Sequence, residues 1–334
     1  MPRLGVIGTL VWDVIYGSPP KSERVEGWGG LAYALSGLDA ALAGDWEIVP
    51  LIKVGHDVAE QGRAFVSGLR HAAADAALVE VPEPNNRSEL RYHDDEHRTE
   101  FMSGGVPGWR WDELAPRLEA ARIDALYVNF LSGWEIDLDV AQRLRASFAG
   151  PIYVDLHMML WAVQSTGMRQ LRPLERATAW CRCFDFIQVN EDEMSMLAPD
   201  PDAFAALALG AGARATMVTL GPRGVVYHAA PGFRRLGDTS GGASGGASGG
   251  ASGEALGIAL ASDAVRRGPE VDPTGCGDVW GATAFARLLA GDTLADALRC
   301  ANERAGRNAE FHGVAGLVAH LSHGWAQATN VIRP

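Results

Sequence analysis

The sequence predicts an α/β fold in three layers, with a mostly parallel central sheet covered by helices on both faces. Short apolar runs alternate with amphipathic, Ala- and Leu-rich stretches along most of the 334 residues. The runs are nearly continuously apolar, which is typical of parallel strands buried on both faces. Two polar segments, 13–28 and 87–103, interrupt this alternation and predict a small β lid beside the main sheet, with two unrelated solvated loops as the alternative. The length is compatible with one large α/β unit, so residues 1–334 are interpreted as a single domain.

The predicted strands and helices follow one another along the chain. The strands are expected at 4–8, 46–55, 125–131, 152–157, 184–190 and 215–221. The helices between them are expected at 30–43, 57–72, 140–149 and 204–213. Such sheets bind ligands beyond the carboxyl ends of their strands. Polar residues stand at those ends in several segments, among them Asp155, Asn190 and Thr219.

Two stretches are expected to lie outside the regular elements. HDDE, at 93–96, predicts a turn between two short lid strands. GGAS occurs three times within residues 241–252. Such a composition cannot bury enough apolar surface to offset the entropy of ordering it, so residues 238–254 are expected to form a flexible surface loop.

The composition excludes several classes of function. The net charge of −12 leaves no general basic footprint, so neither nucleic acid nor an anionic membrane is expected as the main partner. No apolar run approaches the ~20 residues of a membrane span, and the N-terminus lacks the features of a signal peptide. The four cysteines have neither zinc spacing nor the density of a disulfide scaffold, which favours a reduced, cytoplasmic protein.

The stretch DPTGCGD, at 272–278, carries the strongest chemical signal. Its glycines permit a tight turn, and the apolar helix that follows presents unpaired N–H groups at its start. Such a loop binds anions. Phosphoryl transfer needs donors for the charge on the phosphate oxygens and a group that accepts the proton of the attacking hydroxyl. The backbone of Gly275, Cys276 and Gly277 would supply the donors, and Asp278 would be the general base.

DPTGCGD resembles the D-T-x-G-A-G-D signature of the ribokinase (PfkB) family of carbohydrate and nucleoside kinases. Five other stretches resemble elements of that family in the same order along residues 4–318. GHDVAEQG (55–62) is similar to its G-x-D-x-x-G segment after an early strand. GWGGLAYAL (27–35) is similar to the Gly-Gly element at the acceptor, and NEDE (190–193) to N-x-x-E, associated with Mg²⁺ and phosphate. VTLGPRG (218–224) is similar to the nucleotide-binding strand and turn, and CANERAG (300–306) to the last helix of the adenine pocket. The resemblance implies the same three-layer core with a β lid.

The resemblance assigns roles to residues of this chain. It implies acceptor binding by Asp13, Gly29, Gly30 and Asp155. It implies nucleotide binding by Thr219, Gly221, Gly224 and Asn302. Asn190 and Glu193 would act around Mg²⁺, partly through water, because Mg²⁺ retains several waters and uses few carboxylates. The cofactors are therefore ATP and Mg²⁺; a monovalent cation is left open, and so is a homodimer through the lid.

Alternatives to these roles remain open at this stage. NEDE is also a good start for a capped helix, since Asn caps well and Glu is favoured in a first turn. Cys276 is a candidate nucleophile, because a helix N-terminus lowers the pKa of a thiol. Trp12, Tyr16, Trp28 and Tyr33 are candidates for stacking on a base or for packing in the core.

The resemblance fails at the expected acceptor site. Sugar kinases of the family often carry Asn after Gly-Gly, where this chain has Leu31, and D-x-N-x-R, where it has DLHMM (155–159) with His157 and Met159. The sequence therefore predicts an ATP-dependent kinase for an alcohol of a sugar-like or nucleoside acceptor. A catalytically inactive nucleotide- or ligand-binding sensor and a kinase for a vitamin-like heterocycle are the alternatives. The chain has no GxxxxGK[ST] P-loop and no complete GxGxxG.

Overall fold

The computed structural model describes residues 1–17, 24–92, 98–237 and 272–323. Two of the sequence predictions, the flexible loop at 238–254 and the HDDE turn at 93–96, lie outside these residues. No helix within the described ranges is long and apolar enough to cross a membrane.

Fourteen strands form three sheets in the described part of the chain. In chain order they are β1 (Arg3–Thr9), β2 (Trp12–Tyr16), β3 (Arg24–Trp28), β4 (Glu47–Gly55), β5 (Val79–Val81), β6 (Arg87–Tyr92), β7 (Arg98–Ser103), β8 (Ala125–Asn129), β9 (Ile152–Asp155), β10 (Trp161–Val163), β11 (Arg169–Leu171), β12 (Phe186–Asn190), β13 (Ala215–Thr219) and β14 (Val225–Ala229). The central sheet has the order β14-β13-β12-β9-β8-β1-β4-β5. All its neighbouring pairs are parallel except β13 with β14.

Ten α-helices accompany these strands within the described residues. They are α1 (Leu31–Ala41), α2 (Ala59–Ser67), α3 (Trp111–Ala121), α4 (Leu138–Ser147), α5 (Ala177–Cys181), α6 (Glu191–Ser195), α7 (Pro201–Ala211), α8 (Cys276–Leu289), α9 (Leu294–Asn308) and α10 (Leu317–Ser322). Side chains of Asp137, Asp200 and Thr293 cap the starts of α4, α7 and α9. Each accepts a hydrogen bond from an otherwise unpaired N–H group of the first turn.

The core lies in two layers, one on each face of the central sheet. Tyr127, Tyr153 and Phe186 point to the face covered by α1, α8 and α9, whose apolar side chains belong to the same cluster. The strand residues next to them, such as Val128 and Val154, point to the opposite face, covered by α3, α4 and α7. This alternation follows from the pleat of a strand, which sends successive side chains to opposite faces. The predicted three-layer α/β/α core is confirmed.

The predicted lid is confirmed as a four-stranded sheet of order β3-β2-β6-β7. Its two halves come from separate parts of the chain and meet through the parallel pair β2–β6, while the other pairs are antiparallel. Asp13 on β2 lies opposite Ser88 on β6. The lid therefore joins the two polar segments above the carboxyl edge of the central sheet.

The predicted elements are present, and their ends differ by a few residues. Helix α7 begins at Pro201, before the predicted residue 204, because Asp200 caps it and Pro occupies its first turn. The helix predicted at 57–72 is shorter, since α2 ends at Ser67 before Gly68. The sequence did not predict the hairpin β10–β11 or the strands β5 and β14, which are short or lie at the edge of their sheet.

Candidate active site

A cavity of about 350 Å³ lies between the carboxyl edge of the central sheet and the lid. Residues predicted for the acceptor, the metal, the nucleotide and catalysis meet in its wall: Asp13, Gly30, Asp155, Asn190, Glu193, Thr219, Gly221, Gly275, Gly277 and Asp278. They come from six parts of the chain that are distant in sequence. We call this the main cavity.

A second cavity of about 180 Å³ adjoins the main cavity along the start of α8. The two share the wall residues Thr219, Gly221, Pro273 and Gly277. The rest of its wall comes from the turn after β13 and from the facing sides of α8 and α9: Pro222, Gly224, Cys276, Trp280, Asn302, Ala305, Gly306 and Ala309. We call this the side cavity. It contains the remaining residues predicted for the nucleotide, Gly224 and Asn302.

The loop before α8 is held in a tight turn by its own polar groups. The Asp272 carboxylate accepts a hydrogen bond from Thr274 N–H at 2.9 Å, and Asn308 Nδ2 donates to Thr274 O at 2.8 Å. Gly275, the N-cap, has φ of 73°, in the left-handed region that favours glycine. A Cβ atom at this position would lie 2.2 Å from the Tyr33 ring. Glycine is thus required here both for the backbone conformation and for the close approach of Tyr33.

Two of the three predicted anion-binding N–H groups have no partner in the described residues. Cys276 N–H donates to Pro273 O at 3.1 Å, so this donor is already engaged inside the turn. The N–H groups of Gly275 and Gly277 have no such bond within the described ranges. The start of α8 therefore offers two backbone donors and the positive end of a 14-residue helix to an anion.

Asp278 lines the main cavity and is held by a residue that the sequence analysis missed. Asn129, at the carboxyl end of β8, is fully buried and donates from Nδ2 to Asp278 Oδ1 at 2.8 Å. Desolvation raises the pKa of Asp278, and the His157 charge and the Asn129 hydrogen bond oppose the rise. Asn129 lies within the predicted strand 125–131 and is the last residue of β8, opposite Asp155 on β9.

His157 forms an ion pair with Glu193 in the wall of the main cavity. Its Nδ1 lies 2.6 Å from Glu193 Oε1. Burial alone would lower the pKa of His157, but Glu193, Asp155 and Asp278 raise it to about 10. Burial opposes the charge of Glu193 as well, yet His157 holds the pKa of that carboxyl below its ordinary value. Desolvation raises the pKa of Asp155 well above its usual range, although His157 pulls it down.

The residues predicted to act around Mg²⁺ are engaged with each other. Asn190 caps α6 by accepting from Glu193 N–H at 2.9 Å, and Glu193 accepts from Asn190 N–H at 2.9 Å and Nδ2 at 2.7 Å. This is the capped helix start that the sequence left open as an alternative. Glu193 is only 1% exposed, and His157 is its further partner. Within the described ranges no three His, Cys, Asp or Glu side chains are grouped to hold a metal ion. Asn190 and Glu193 therefore do not fit as direct ligands of Mg²⁺.

The acceptor side of the main cavity combines the lid with the start of α1. Asp13 on β2 is buried against Gly29, where a Cβ atom would lie 1.9 Å from the Asp13 carboxylate. Gly30 is the N-cap of α1 and lines the cavity directly. Glu100 on β7 also lines it and accepts a hydrogen bond from Ser88 at 2.8 Å. The absence of a side chain at Gly29 thus leaves room for the Asp13 carboxylate at the edge of the site.

Residues at the positions where the family resemblance fails point away from the main cavity or add charge to it. Leu31 is fully buried against β1, and Met159 is buried in the opposite core layer. His157 and its neighbour Met158 line the cavity. Where sugar kinases of the family often carry Asn and Arg, this chain thus has an imidazole in the wall and a thioether in the core.

None of the four aromatic candidates for base stacking belongs to the lining of the main cavity. Trp12 and Trp28 pack edge to face with ring centroids 5.0 Å apart. Tyr33 is buried and packs with α8 and α10. Tyr16 lies beneath the Arg91 guanidinium, 5.1 Å from it. In the described structure these rings therefore pack against protein groups.

Cys276 is a poor nucleophile in this structure. Burial raises the pKa of its thiol to about 11, and nearby Asp272 and Asp278 add to the rise. The thiol donates to Ala305 O at 3.4 Å. A thiol that remains protonated near neutral pH is inert, because the thiolate is the reactive form.

The side cavity is predominantly apolar, with an aromatic wall. Trp280 is 3% exposed, and its Nε1 donates to Asn302 Oδ1 at 2.7 Å. This bond links α8 to α9 at the base of the cavity. This apolar cleft adjoins the start of α8, where the N–H groups of Gly275 and Gly277 lie.

The sequence matches no protein-family description and no curated protein at a significant level. Comparison of the structures does find similar proteins. An Arabidopsis thaliana ribokinase complexed with ribose and ATP is 16% identical, with a TM-score of 0.65 over 97% of this chain and 99% of its own. A Burkholderia thailandensis nucleoside kinase in complex with inosine is 16% identical, with a TM-score of 0.64 over 98% of both chains.

A pyrophosphate-dependent kinase in the ribokinase family, complexed with a pyrophosphate analog and myo-inositol, is also similar. It is 15% identical, with a TM-score of 0.67 over 93% of this chain and 96% of its own. These proteins use different phosphoryl donors and acceptors on one architecture, so the likeness identifies the fold and leaves the substrates to be argued from the site. Over nearly its whole length, this chain has the fold of the ribokinase family of kinases.

Proposed function

We propose that this protein is an ATP-dependent small-molecule kinase that phosphorylates an alcohol of a sugar-like or nucleoside acceptor. The observation that carries the proposal is the position of Asp278. Its carboxylate lines the main cavity next to the two unpaired N–H groups at the start of α8. An acceptor hydroxyl in the main cavity and a phosphoryl group at the helix start would then meet beside a base.

The proposed reaction follows from this arrangement. Asp278 accepts the proton of the acceptor hydroxyl while that oxygen forms a bond to the terminal phosphorus of ATP. The bond from this phosphorus to the bridging oxygen breaks, and ADP leaves. Gly275 and Gly277 N–H groups stabilise the charge on the phosphoryl oxygens during transfer, and Asn129 orients the base.

ATP is the proposed donor because the side cavity adjoins the phosphate loop. The lining residues Thr219, Gly221, Gly224 and Asn302 would contact the nucleotide, and Trp280 would form one wall for the base. Magnesium accompanies ATP as its counter-ion. Asn190 and Glu193 would contact it only through water, since their polar atoms are engaged with each other.

The proposed acceptor is an uncharged hydroxyl compound. Asp13, Glu100 and Asp155 bring carboxyl groups to the acceptor side of the main cavity. Among the described residues that line this cavity there is no Lys or Arg. A phosphate or carboxylate on the acceptor would lie beside these carboxyl groups, with His157 as the one basic side chain among the described lining residues, whereas hydroxyl groups would find acceptors for their hydrogen bonds.

A screen for phosphoryl transfer tests the proposed function. ATP consumption would be measured over neutral sugars, their phosphates, nucleosides and vitamin-like heterocycles. We expect turnover above the background ATPase with at least one neutral acceptor. Transfer only to sugar phosphates would contradict the proposed acceptor class.

Replacement of the base tests the mechanism. Asp278→Asn should lower kcat by ~10²–10⁴-fold, the usual contribution of a general base, with nucleotide binding retained. Asp272→Asn in the same loop is the matched control, because Asn can still accept the hydrogen bond from Thr274 N–H. A near-normal kcat in Asp278→Asn would remove Asp278 from the reaction.

A catalytically inactive nucleotide- or ligand-binding sensor is the second candidate. The burial of Leu31 and Met159 supports it, since two positions expected to contact a sugar are directed into the core. Nucleotide binding without transfer to any acceptor in the screen would favour this function. A homodimer through the lid is proposed as the assembly, whichever of the two functions holds.

A further inference from the structure

Carboxyl groups outnumber basic side chains in the described wall of the main cavity. Five carboxyl side chains line the cavity: Asp13, Glu100, Asp155, Glu193 and Asp278. His157 is the only basic side chain among the described residues that line either cavity. Bringing a triphosphate to such a wall is unfavourable unless positive charge lies close to the phosphates.

Glu193, the carboxylate expected near Mg²⁺, forms an ion pair with this basic side chain. Glu193 accepts two hydrogen bonds from Asn190 and a third, at 2.6 Å, from His157 Nδ1. A short contact between an imidazole and a carboxylate is a charge-assisted hydrogen bond, so the ring is held in one orientation. The His157 ring is thereby fixed at the place where the resemblance implies a hydrated metal ion.

The second nitrogen of His157 remains available to a ligand. The side chain is 26% exposed, in the wall of the main cavity. Nε2 has no hydrogen-bond partner within the described ranges, although Nδ1 is paired. The 2.6 Å contact of Nδ1 with the buried Glu193 carboxylate is that of an ion pair, and in the charged ring Nε2 carries a proton and acts as a donor. Asp278 and Asp155 are the other charged groups that act on this ring.

We propose that His157, held by Glu193, binds the terminal phosphoryl group of the donor through Nε2 and supplies at this wall part of the positive charge expected from Mg²⁺. The inference rests on the proposed phosphoryl transfer and adds a residue to it. It concerns the terminal phosphoryl group because His157 lies near Asp278, while the base of a nucleotide would lie in the side cavity. ADP, which lacks the terminal group, would not make this contact.

Comparison of ATP and ADP binding by the full-length protein tests this contact. His157→Asn removes the charge and keeps a group that can donate to Glu193. Calorimetry should find ATP binding weakened by ~10–100-fold, the range for a hydrogen bond to a charged group, and ADP binding unchanged. An equal loss for both nucleotides, or no loss for either, would overturn the proposal.

His228→Asn is the matched control. His228 also pairs with a carboxylate, Asp202, at 2.8 Å and is buried, but it lines neither cavity. This variant should bind ATP and ADP like the wild type. If His157→Asn does not fold, as judged by thermal unfolding, Glu193→Gln provides the second test. Without the carboxylate the ring loses its partner charge, so the preference for ATP over ADP should fall there too.

Magnesium provides an independent readout. Chelation of Mg²⁺ should weaken ATP binding by a larger factor in His157→Asn than in the wild type, because the variant has lost the other source of charge. Equal factors in the two proteins would contradict a shared role.

Pyrophosphate separates failure of this inference from failure of the proposed donor. If the wild type binds inorganic pyrophosphate but not ATP, the nucleotide donor is wrong. His157→Asn must then weaken pyrophosphate binding for the inference to stand. If the wild type binds neither ATP nor pyrophosphate nor inorganic phosphate, both proposals are overturned.

Discussion

In the proposed reaction Asp278 accepts a proton only in its ionised form, and its surroundings set the pH at which that form is present. Desolvation raises its pKa above the ordinary value for Asp, whereas His157 and Asn129 lower it. A raised pKa means that the carboxylate takes up a proton at a higher pH than an ordinary Asp. Activity is therefore expected to fall on the acid side as the pH drops through this raised pKa, and to be complete above it.

Asn129→Ala tests this balance at the level of one hydrogen bond. The variant removes a donor to the ionised carboxylate, so the pKa of Asp278 should rise further. The acid limb of the kcat profile should then move to higher pH. Asn86→Ala is the control, because Asn86 is equally buried and donates to Ser132 at 2.8 Å, away from Asp278. An acid limb that moves equally in both variants would contradict a positioning role of Asn129.

The place of a residue in the candidate site was predictable from the sequence where the residue belongs to a motif. The spacing of DPTGCGD predicted a tight loop before a helix, because backbone turns and the helix that follows are local features of the chain. The roles of Asp278 as base and of the loop as anion site stay predictions. Asn129 was not predictable in this way. It acts on a residue 149 positions away, and only the pairing of β8 beside β9 and the packing of α8 bring the two together.

At the scale of the elements, the loop before α8 depends on a glycine that meets another helix. Gly275→Ala would place a methyl group against the Tyr33 ring and force a left-handed residue, so we expect loss of both stability and phosphoryl transfer. Gly291→Ala is the matched control, with φ of 91° and no atom within 4 Å of the added group. It should cost only the conformational penalty, of order 1–3 kcal/mol in the free energy of unfolding. Equal losses in the two variants, measured by urea unfolding, would rule out the clash with Tyr33.

A local sequence signal can predict where an element begins without predicting which distant residues its side chains contact. The NEDE segment illustrates this, since its capping box is a local signal and the structure contains it as the start of α6. The sequence could not decide whether Glu193 was also open to a metal ion. The answer depended on His157, which precedes Glu193 by 36 residues in sequence and contacts it because it follows the end of β9.

At the scale of the whole molecule, an aromatic layer joins α8 to the central sheet. Phe285 is fully buried, with ring centroids 5.3 Å from Tyr153, 6.1 Å from Phe186 and 6.4 Å from Tyr127. Phe285→Ala should lower the free energy of unfolding by about 3–5 kcal/mol, the usual cost of a large cavity. Val163→Ala, at a residue 39% exposed, should change it little. A small effect of Phe285→Ala in urea unfolding would mean that α8 can repack without this ring.

Assembly is also a property of the whole molecule. Strand β3 is an edge of the lid sheet, and Val25 on it is 58% exposed. An unpaired edge strand that exposes an apolar residue can associate with another chain. We expect a homodimer by light scattering and dissociation in Val25→Asp, while Gln142→Asp on the exposed side of α4 should leave it intact. A wild-type monomer over the micromolar range would reject the lid as the dimer contact.

The sequence by itself determined the layered α/β core, the lid and the tight loop before α8. These features arise from periodic burial and from turn chemistry, and both operate over short stretches of chain. Only the tertiary structure decided that Asn129 holds Asp278, that His157 pairs with Glu193 and that Leu31 and Met159 are buried in the core. The physical reason is that hydrogen bonds and charge interactions depend on distances of a few ångströms between residues far apart in sequence, which the packing of strands and helices alone sets.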